Sequence, residues 1–304
     1  MNIDAQSLLD HFEDRVRHGL PVHGVVVERV GEEPLKRMFR AEERENVYSG
    51  AKTFTALGIG IARDAALLEL DDPVLSHFPD YRGAAAPGVE EMRLWHLLTM
   101  TSGSPYTLFT PEEKQVSDIV GNFLSKQRNR PGARFEYSSG CSYLLSRVIS
   151  RVTGMSLSDY LVNRLFTPLG IWNPLWGSCP EGYTWGGTDL HLTTAEYARL
   201  GSLLLGNGEF KGHRIVSREW IELMRNTRVD STVWTDDPEG TGYGLHVWHC
   251  SPEGVYRADG RYGQHCVIMP AHGACVTVTA HHEGRANDIL DVIWEGAFGS
   301  SGAS

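Results

Sequence analysis

Val47-Tyr48-Ser49-Gly50-Ala51-Lys52-Thr53-Phe54-Thr55-Ala56 sets a small hydroxyl residue ahead of a strongly apolar run, with a lysine three positions after the serine. From Thr53 to Ala62 no side chain is charged, and Phe54, Leu57, Ile59 and Ile61 leave no polar stripe, the pattern of a helix buried on all sides. Lys52 therefore enters that helix at its mouth. Residues three apart share a helix face, so Ser49 and Lys52 stand side by side at the N-terminus, where free N–H groups and the helix dipole favour developing negative charge. This arrangement suits a nucleophile and its base. An N-cap serine followed by a surface lysine gives the same SxxK spacing, but a surface lysine has no reason to precede an uncharged run.

The rest of the composition narrows the class of partner. The chain has 304 residues, 41% hydrophobic and 22% charged, enough to bury a large core as one globular unit. A net charge of -10 argues against a nucleic-acid or acidic-membrane surface, because both need clustered Lys and Arg. A small-molecule substrate is the expected partner; the oligomeric state is left open. Met1-Asn2-Ile3-Asp4 begins no basic and apolar leader, and no apolar run reaches membrane-spanning length, so a cytoplasmic protein is expected. Cys141, Cys179, Cys250, Cys266 and Cys275 are odd in number and form no CxxC pair, which reads as free buried thiols rather than disulfides or a zinc knuckle. A metal site from His246, His249, Cys250, His265, Cys266, His281 and His282 has poor chelating spacing, since His246 and His249 fall on opposite strand faces and His281-His282 are adjacent, so no metal is expected. No cofactor is implied. No GxSxG elbow occurs, which argues against an α/β-hydrolase triad.

Along the chain, Asp4 caps a first helix with Leu8, Leu9, Phe12 and Val16 on one face. Val22 to Val30 and Leu35 to Arg40 read as a hairpin, and the serine helix then runs to about Leu70, ahead of Asp71-Asp72-Pro73. Further helices are expected near Val116 to Leu124, after Ser139, and over Ser156 to Leu165 and Thr194 to Leu205. Gly182 to Gly187 returns the chain to a sheet built from Gly242 to Trp248, Val255 to Asp259, Gly263 to Met269 and Cys275 to Ala280, and Ile289 to Phe298 closes the chain as an amphipathic helix.

Two further motifs follow the serine in order: Tyr137-Ser138-Ser139 in a loop at a helix start, and Ala258-Asp259-Gly260-Arg261-Tyr262-Gly263-Gln264 between two strands. With Leu97 through Gly103, Pro131-Gly132, Val152-Thr153-Gly154 and Pro168-Leu169-Gly170, the chain resembles the serine β-lactamase and penicillin-binding-protein superfamily, particularly the class C β-lactamase-like branch that includes esterases and peptidases. The resemblance implies an α/β fold of two lobes: an antiparallel sheet flanked by terminal helices, from about 1–48 and 186–304, and a mainly helical lobe, about 49–185, all within a single catalytic domain over 1–304. It further implies Ser49 as the acyl-accepting nucleophile, Lys52 as its base, Tyr137 as the proton shuttle for the leaving group, and the N–H groups of Ser49 and Arg261 as an oxyanion hole.

Three features of the motifs shape the expected substrate. Ser139 stands where the superfamily commonly has asparagine. Ala258-Asp259-Gly260 replaces a third motif that usually carries Lys or His, which removes a cation for a substrate carboxylate. Gly260 and Gly263 suit a backbone that approaches a ligand closely, while Arg257, Asp259 and Arg261 on one strand face read as a solvated ion ladder. The expected function is a serine hydrolase acting through an acyl-enzyme on a small ester or amide, with an ester favoured. A β-lactamase or D-amino-acid peptidase, or a catalytically silent ligand-binding relative, are the alternatives.

Overall fold

A computed structural model describes residues 3–235, 237–285 and 287–299. Its centre is a six-stranded antiparallel sheet made from both ends of the chain: β1 (Val22–Arg29), β2 (Leu35–Met38), β3 (Trp248–His249), β4 (Tyr256–Gly260), β5 (Gln264–Met269) and β6 (Ala274–Ala280). The spatial order is β2-β1-β6-β5-β4-β3. Strand alternation sorts the two faces cleanly. Val267, Met269, Val276 and Val278 point into one apolar cluster with helix α1 (Ala5–Arg17) and the C-terminal helix Asn287–Phe298, whose Leu8, Phe12, Ile289 and Ile293 fill it. Cys266, Ile268 and Cys275 belong to a second cluster, with Tyr197, Leu200 and Leu204 of the helix Thr194–Leu205. The outer strand β2 is polar and carries Lys36 and Arg37, each ion-paired, which discourages further strand addition at this edge.

The second cluster continues into the helical lobe. Helix α2 (Ala51–Asp64) is buried from Ala51 through Ala62, on every side, as its uncharged run requires. Helix α3 (Ser139–Thr153) packs beside it, capped by the Ser138 hydroxyl, which accepts from the Gly140 N–H. Phe54 stacks on Phe166 at 5.8 Å.

Three local expectations differ from the structure. The serine helix ends at Asp64 rather than near Leu70, because Ala66 turns left-handed at φ 55° and Leu67 N–H donates back to Ala62. Gly242 to Val247 forms no strand: His246 takes φ 56° and Gly244 N–H closes on Val247 O, leaving Trp248–His249 as the whole of β3. Gly182 to Gly187 does not lead into the main sheet; the chain beyond it, Leu190–Leu192, pairs with Glu45–Asn46 and Leu175–Trp176 in a small separate sheet. Among the described residues, no helix is long and apolar enough to cross a membrane.

Candidate active site

Ser49 lies in the 3-10 turn Tyr48–Gly50 that leads into α2. The turn is strained: Tyr48, directly before the serine, has φ 47°, a left-handed conformation unfavourable for an aromatic residue. It is held by the Asn46 side-chain carbonyl, which accepts from Tyr48 N–H at 2.7 Å and from Asp189 N–H at 3.2 Å. No side chain caps α2, so Ser49 is not a capping serine.

Lys52 sits one turn inside, 1% exposed. Its Nζ lies 3.0 Å from Ser49 Oγ, 3.0 Å from Ser139 Oγ and 2.8 Å from the Gly187 carbonyl oxygen. Burial pushes its pKa down to about 7, since removing water penalises the ammonium. A neutral amine has two N–H donors and one lone pair. Ser139 and Gly187 are acceptors for the donors, which leaves the lone pair to receive the Ser49 hydroxyl proton. Ser139 thus replaces the usual asparagine at the lysine with a single acceptor.

Tyr137 is half-buried, its hydroxyl directed to Ser49 and the Trp248 indole. Lys52 Nζ is 5.0 Å from its ring centroid. Burial raises the phenol's pKa, so Tyr137 keeps its proton, and the tyrosinate that a neighbouring cation would favour does not form. The two environments push lysine and tyrosine apart, the signature of a base and an acid in one site.

Residues outside the three motifs complete the arrangement. A Cβ on Gly187 would stand 3.2 Å from Ser139 Cβ and 3.3 Å from Lys52 Nζ, a tight fit beside the amine. Gly-Gly in an otherwise aromatic loop was the available signal, legible as a close approach but not as an approach to Lys52. His246 is buried with Nδ1 2.9 Å from Leu98 O and Nε2 2.9 Å from Ser142 Oγ. Burial, then the charge of Lys52, lowers its pKa to about 3. It is neutral, donating from Nδ1 and accepting at Nε2, and its own carbonyl accepts from Thr53 Oγ1 at 2.8 Å. Among the described residues no group of three or more His, Cys, Asp or Glu side chains is placed to hold a metal ion.

The third motif enters through β4. A Cβ on Gly260 would lie 2.2 Å from the Val47 carbonyl oxygen, so only glycine lets this strand touch the chain leading to Ser49. Arg257 and Asp259 are not a solvated ladder. Arg257 is 4% exposed, and its Nε donates to Asp259 Oδ2 at 2.7 Å while a terminal nitrogen donates to Glu239 O at 2.6 Å. Burial pushes Asp259 up, but the Arg257 guanidinium and His265 hold its carboxyl well below the usual carboxylate range. Arg261 has left the strand; it is exposed, with its guanidinium 4.6 Å from the Tyr262 ring centroid. Tyr262 in turn meets Tyr48 edge-on at 5.3 Å.

Ser49, Tyr137, Trp234, Trp248, Asp259 and Arg261 line one cleft of about 230 Å³. A larger cavity, about 620 Å³, lies between the β1–β2 hairpin and the helix Thr194–Leu205. It does not reach Ser49, and its Ser202 hydroxyl donates to Glu28 at 2.6 Å, an acceptor whose pKa burial raises. The smaller cleft is the one that contains Ser49 and Tyr137.

The family model for beta-lactamase matches residues 15–295. The chain belongs to the beta-lactamase family. The family is one of hydrolases. A curated relative, protein flp of Staphylococcus aureus (strain NCTC 8325 / PS 47), is 29% identical over 129 residues, 40% of this chain; the match spans 26% of flp, about a quarter of its length. The 6-aminohexanoate-dimer hydrolase of Paenarthrobacter ureafaciens is 21% identical over 295 residues, covering 86% of this chain and 75% of the relative. Among solved structures, the D-amino acid amidase from Ochrobactrum anthropi SV3 superposes with a TM-score of 0.77 at 17% identity, over 96% of this chain and 97% of the amidase. In this member of the beta-lactamase family the third-motif position Ala258 is 1% exposed, so the place of the usual cation is filled by core.

Proposed function

We propose that the chain is a serine hydrolase that forms an acyl-enzyme on Ser49 and acts on a small, uncharged ester or amide, with an ester favoured. Ser49 Oγ attacks the carbonyl carbon while its proton passes to the Lys52 lone pair. The tetrahedral oxyanion is received by the N–H groups of Ser49 and Arg261, next to the Gly260 approach that brings β4 to the nucleophile. As the bond to the leaving group breaks, Tyr137 donates its proton to the departing oxygen of an ester or nitrogen of an amide, and the proton held by Lys52 restores the phenol. Water then attacks the acyl carbon, and the same groups return a proton to Ser49.

The observation that carries this reading is the buried Lys52 amine bonded at once to Ser49, Ser139 and Gly187. A lysine serving only as a charge has no reason to be placed where burial removes that charge. The relatives named as a hydrolase and an amidase support the reaction class. The commitment of Arg257 to Asp259 and Glu239 supports an uncharged substrate over a β-lactam or a carboxylate-bearing peptide; exposed Arg261 is the one observation in favour of the latter. Intact mass after exposure to a fluorophosphonate tests the proposal. One adduct on wild type and none on Ser49→Ala is expected, and an adduct of equal yield on both sinks the serine assignment.

A further inference from the structure

Phe109 and Trp234 are 42% and 43% exposed, and they come from separate stretches of chain. Phe109 precedes the short helix Pro111–Lys114 of the helical lobe; Trp234 lies in the excursion closed by the Val229 and Tyr243 bridge. Single exposed rings are ordinary, but these two converge on one ring. The Tyr137 centroid is 6.1 Å from that of Phe109 and 6.2 Å from that of Trp234. Trp248 adds a third ring at 5.4 Å. Trp234 and Trp248 share the cleft with Ser49 and Tyr137.

In the reaction proposed above, Tyr137 hands its proton to the departing oxygen, which must then come within hydrogen-bond reach of the phenol, about 3 Å. The carbon on that oxygen is one bond further, so the alcohol extends over whatever surrounds Tyr137. We infer that Phe109, Trp234 and Trp248 form the leaving-group subsite, and that it takes an uncharged aryl or bulky alkyl alcohol; the inference rests on the acyl-enzyme reading. Aromatic faces and edges accept a flat ring in offset or edge-on contact. A carboxylate on the alcohol loses water against three rings, and Arg257, a buried guanidinium lining the same cleft, is already bonded to Asp259 and Glu239.

Acetate esters with one acyl group and different alcohols separate this subsite from the chemistry. Methyl, benzyl and 4-carboxybenzyl acetate pass through the same acetyl-enzyme, so only acylation depends on the alcohol. Benzyl acetate is expected to exceed each of the other two in kcat/KM by roughly tenfold or more. Trp234→Ala and Phe109→Ala should each lower the benzyl-to-methyl ratio at least threefold, and Trp234→Phe should restore most of it. Equal ratios in wild type and variants overturn the subsite, as does an effect confined to the deacetylation rate, which would place the rings on the acyl side. Fluorophosphonate labelling is followed on every protein. Failure to label wild type overturns the hydrolase reading itself, whereas normal labelling with unaltered alcohol preference, or with no turnover of any of the three esters, overturns the subsite alone.

Discussion

Lys52 decides how the site responds to pH. The ordinary lysine pKa, near 10.4, leaves only about one amine in two thousand neutral at pH 7, whereas a value of about 7 leaves about half. With the neutral form as the proposed base, kcat/KM on an uncharged ester should rise with pH through about 7 and then level off. Tyr137, raised by burial, adds no falling limb in the ordinary tyrosine range. A profile flat between about pH 5.5 and 8.5 would take the base role from Lys52. Lys52→Arg offers a second test: it keeps a charge but cannot deprotonate, so it should be nearly as inactive as Lys52→Ala, and near-native turnover by the arginine variant would make the lysine electrostatic. Ser49→Ala removes a hydroxyl that caps nothing. Its thermal midpoint should stay within the few degrees that about 1 kcal/mol represents for a chain of this size, while acyl transfer is lost.

At the scale of elements, glycines set how closely the strands and loops approach α2. Gly260 brings β4 to the Val47 carbonyl, and an alanine there meets backbone rather than a flexible side chain. Either β4 or the Tyr48–Gly50 turn must move. A shift near 1 Å in a site of this kind costs about a hundredfold in rate, so Gly260→Ala should reduce the acylation rate of Ser49 by about that factor while the protein still folds cooperatively. Wild-type acylation kinetics in a folded Gly260→Ala protein would show that the contact does not position the nucleophile. The spacing at Gly187 is looser: its neighbours, Ser139 Cβ and Oγ and Lys52 Nζ, stand at 3.2–3.3 Å, so an alanine there asks for a smaller shift.

For the whole molecule, the question is which substrates the cleft admits. A charge-assisted hydrogen bond to a carboxylate is worth roughly 1.5–3 kcal/mol, or about ten- to a hundredfold. Neither Ala258, which is buried, nor Arg257, which is paired internally, supplies one here. Short-chain p-nitrophenyl esters are therefore expected to be turned over with higher kcat/KM than benzylpenicillin or nitrocefin. Steady-state kinetics on both classes check this, and β-lactam hydrolysis at equal or greater efficiency would remove the esterase preference. Restoring the cation by Ala258→Lys is a poor test, because the new amine would enter the core among residues such as Tyr256 and Cys266.

The buried helix α2, the order of the three motifs and the alternation of the central strands were legible in the sequence, because each rests on local periodicity: an uncharged run for α2, a hydroxyl ahead of a helix for Ser138 and Ser139, and period-two apolar residues for β5 and β6. Helix and strand ends at Ala66 and His246 were not, since a positive φ at a non-glycine residue is imposed by surrounding contacts and leaves no mark in composition. The partners of Lys52 were likewise beyond local reading. Gly187 lies 135 residues away in sequence and Ser139 87 residues, and nothing in their spacing shows that both must face one amine. The Arg257–Asp259 pair shows the same limit from the other side. Its spacing is compatible with an exposed ladder or a buried ion pair, and only the packing of Glu239 and His265 around it removes the water that separates the two.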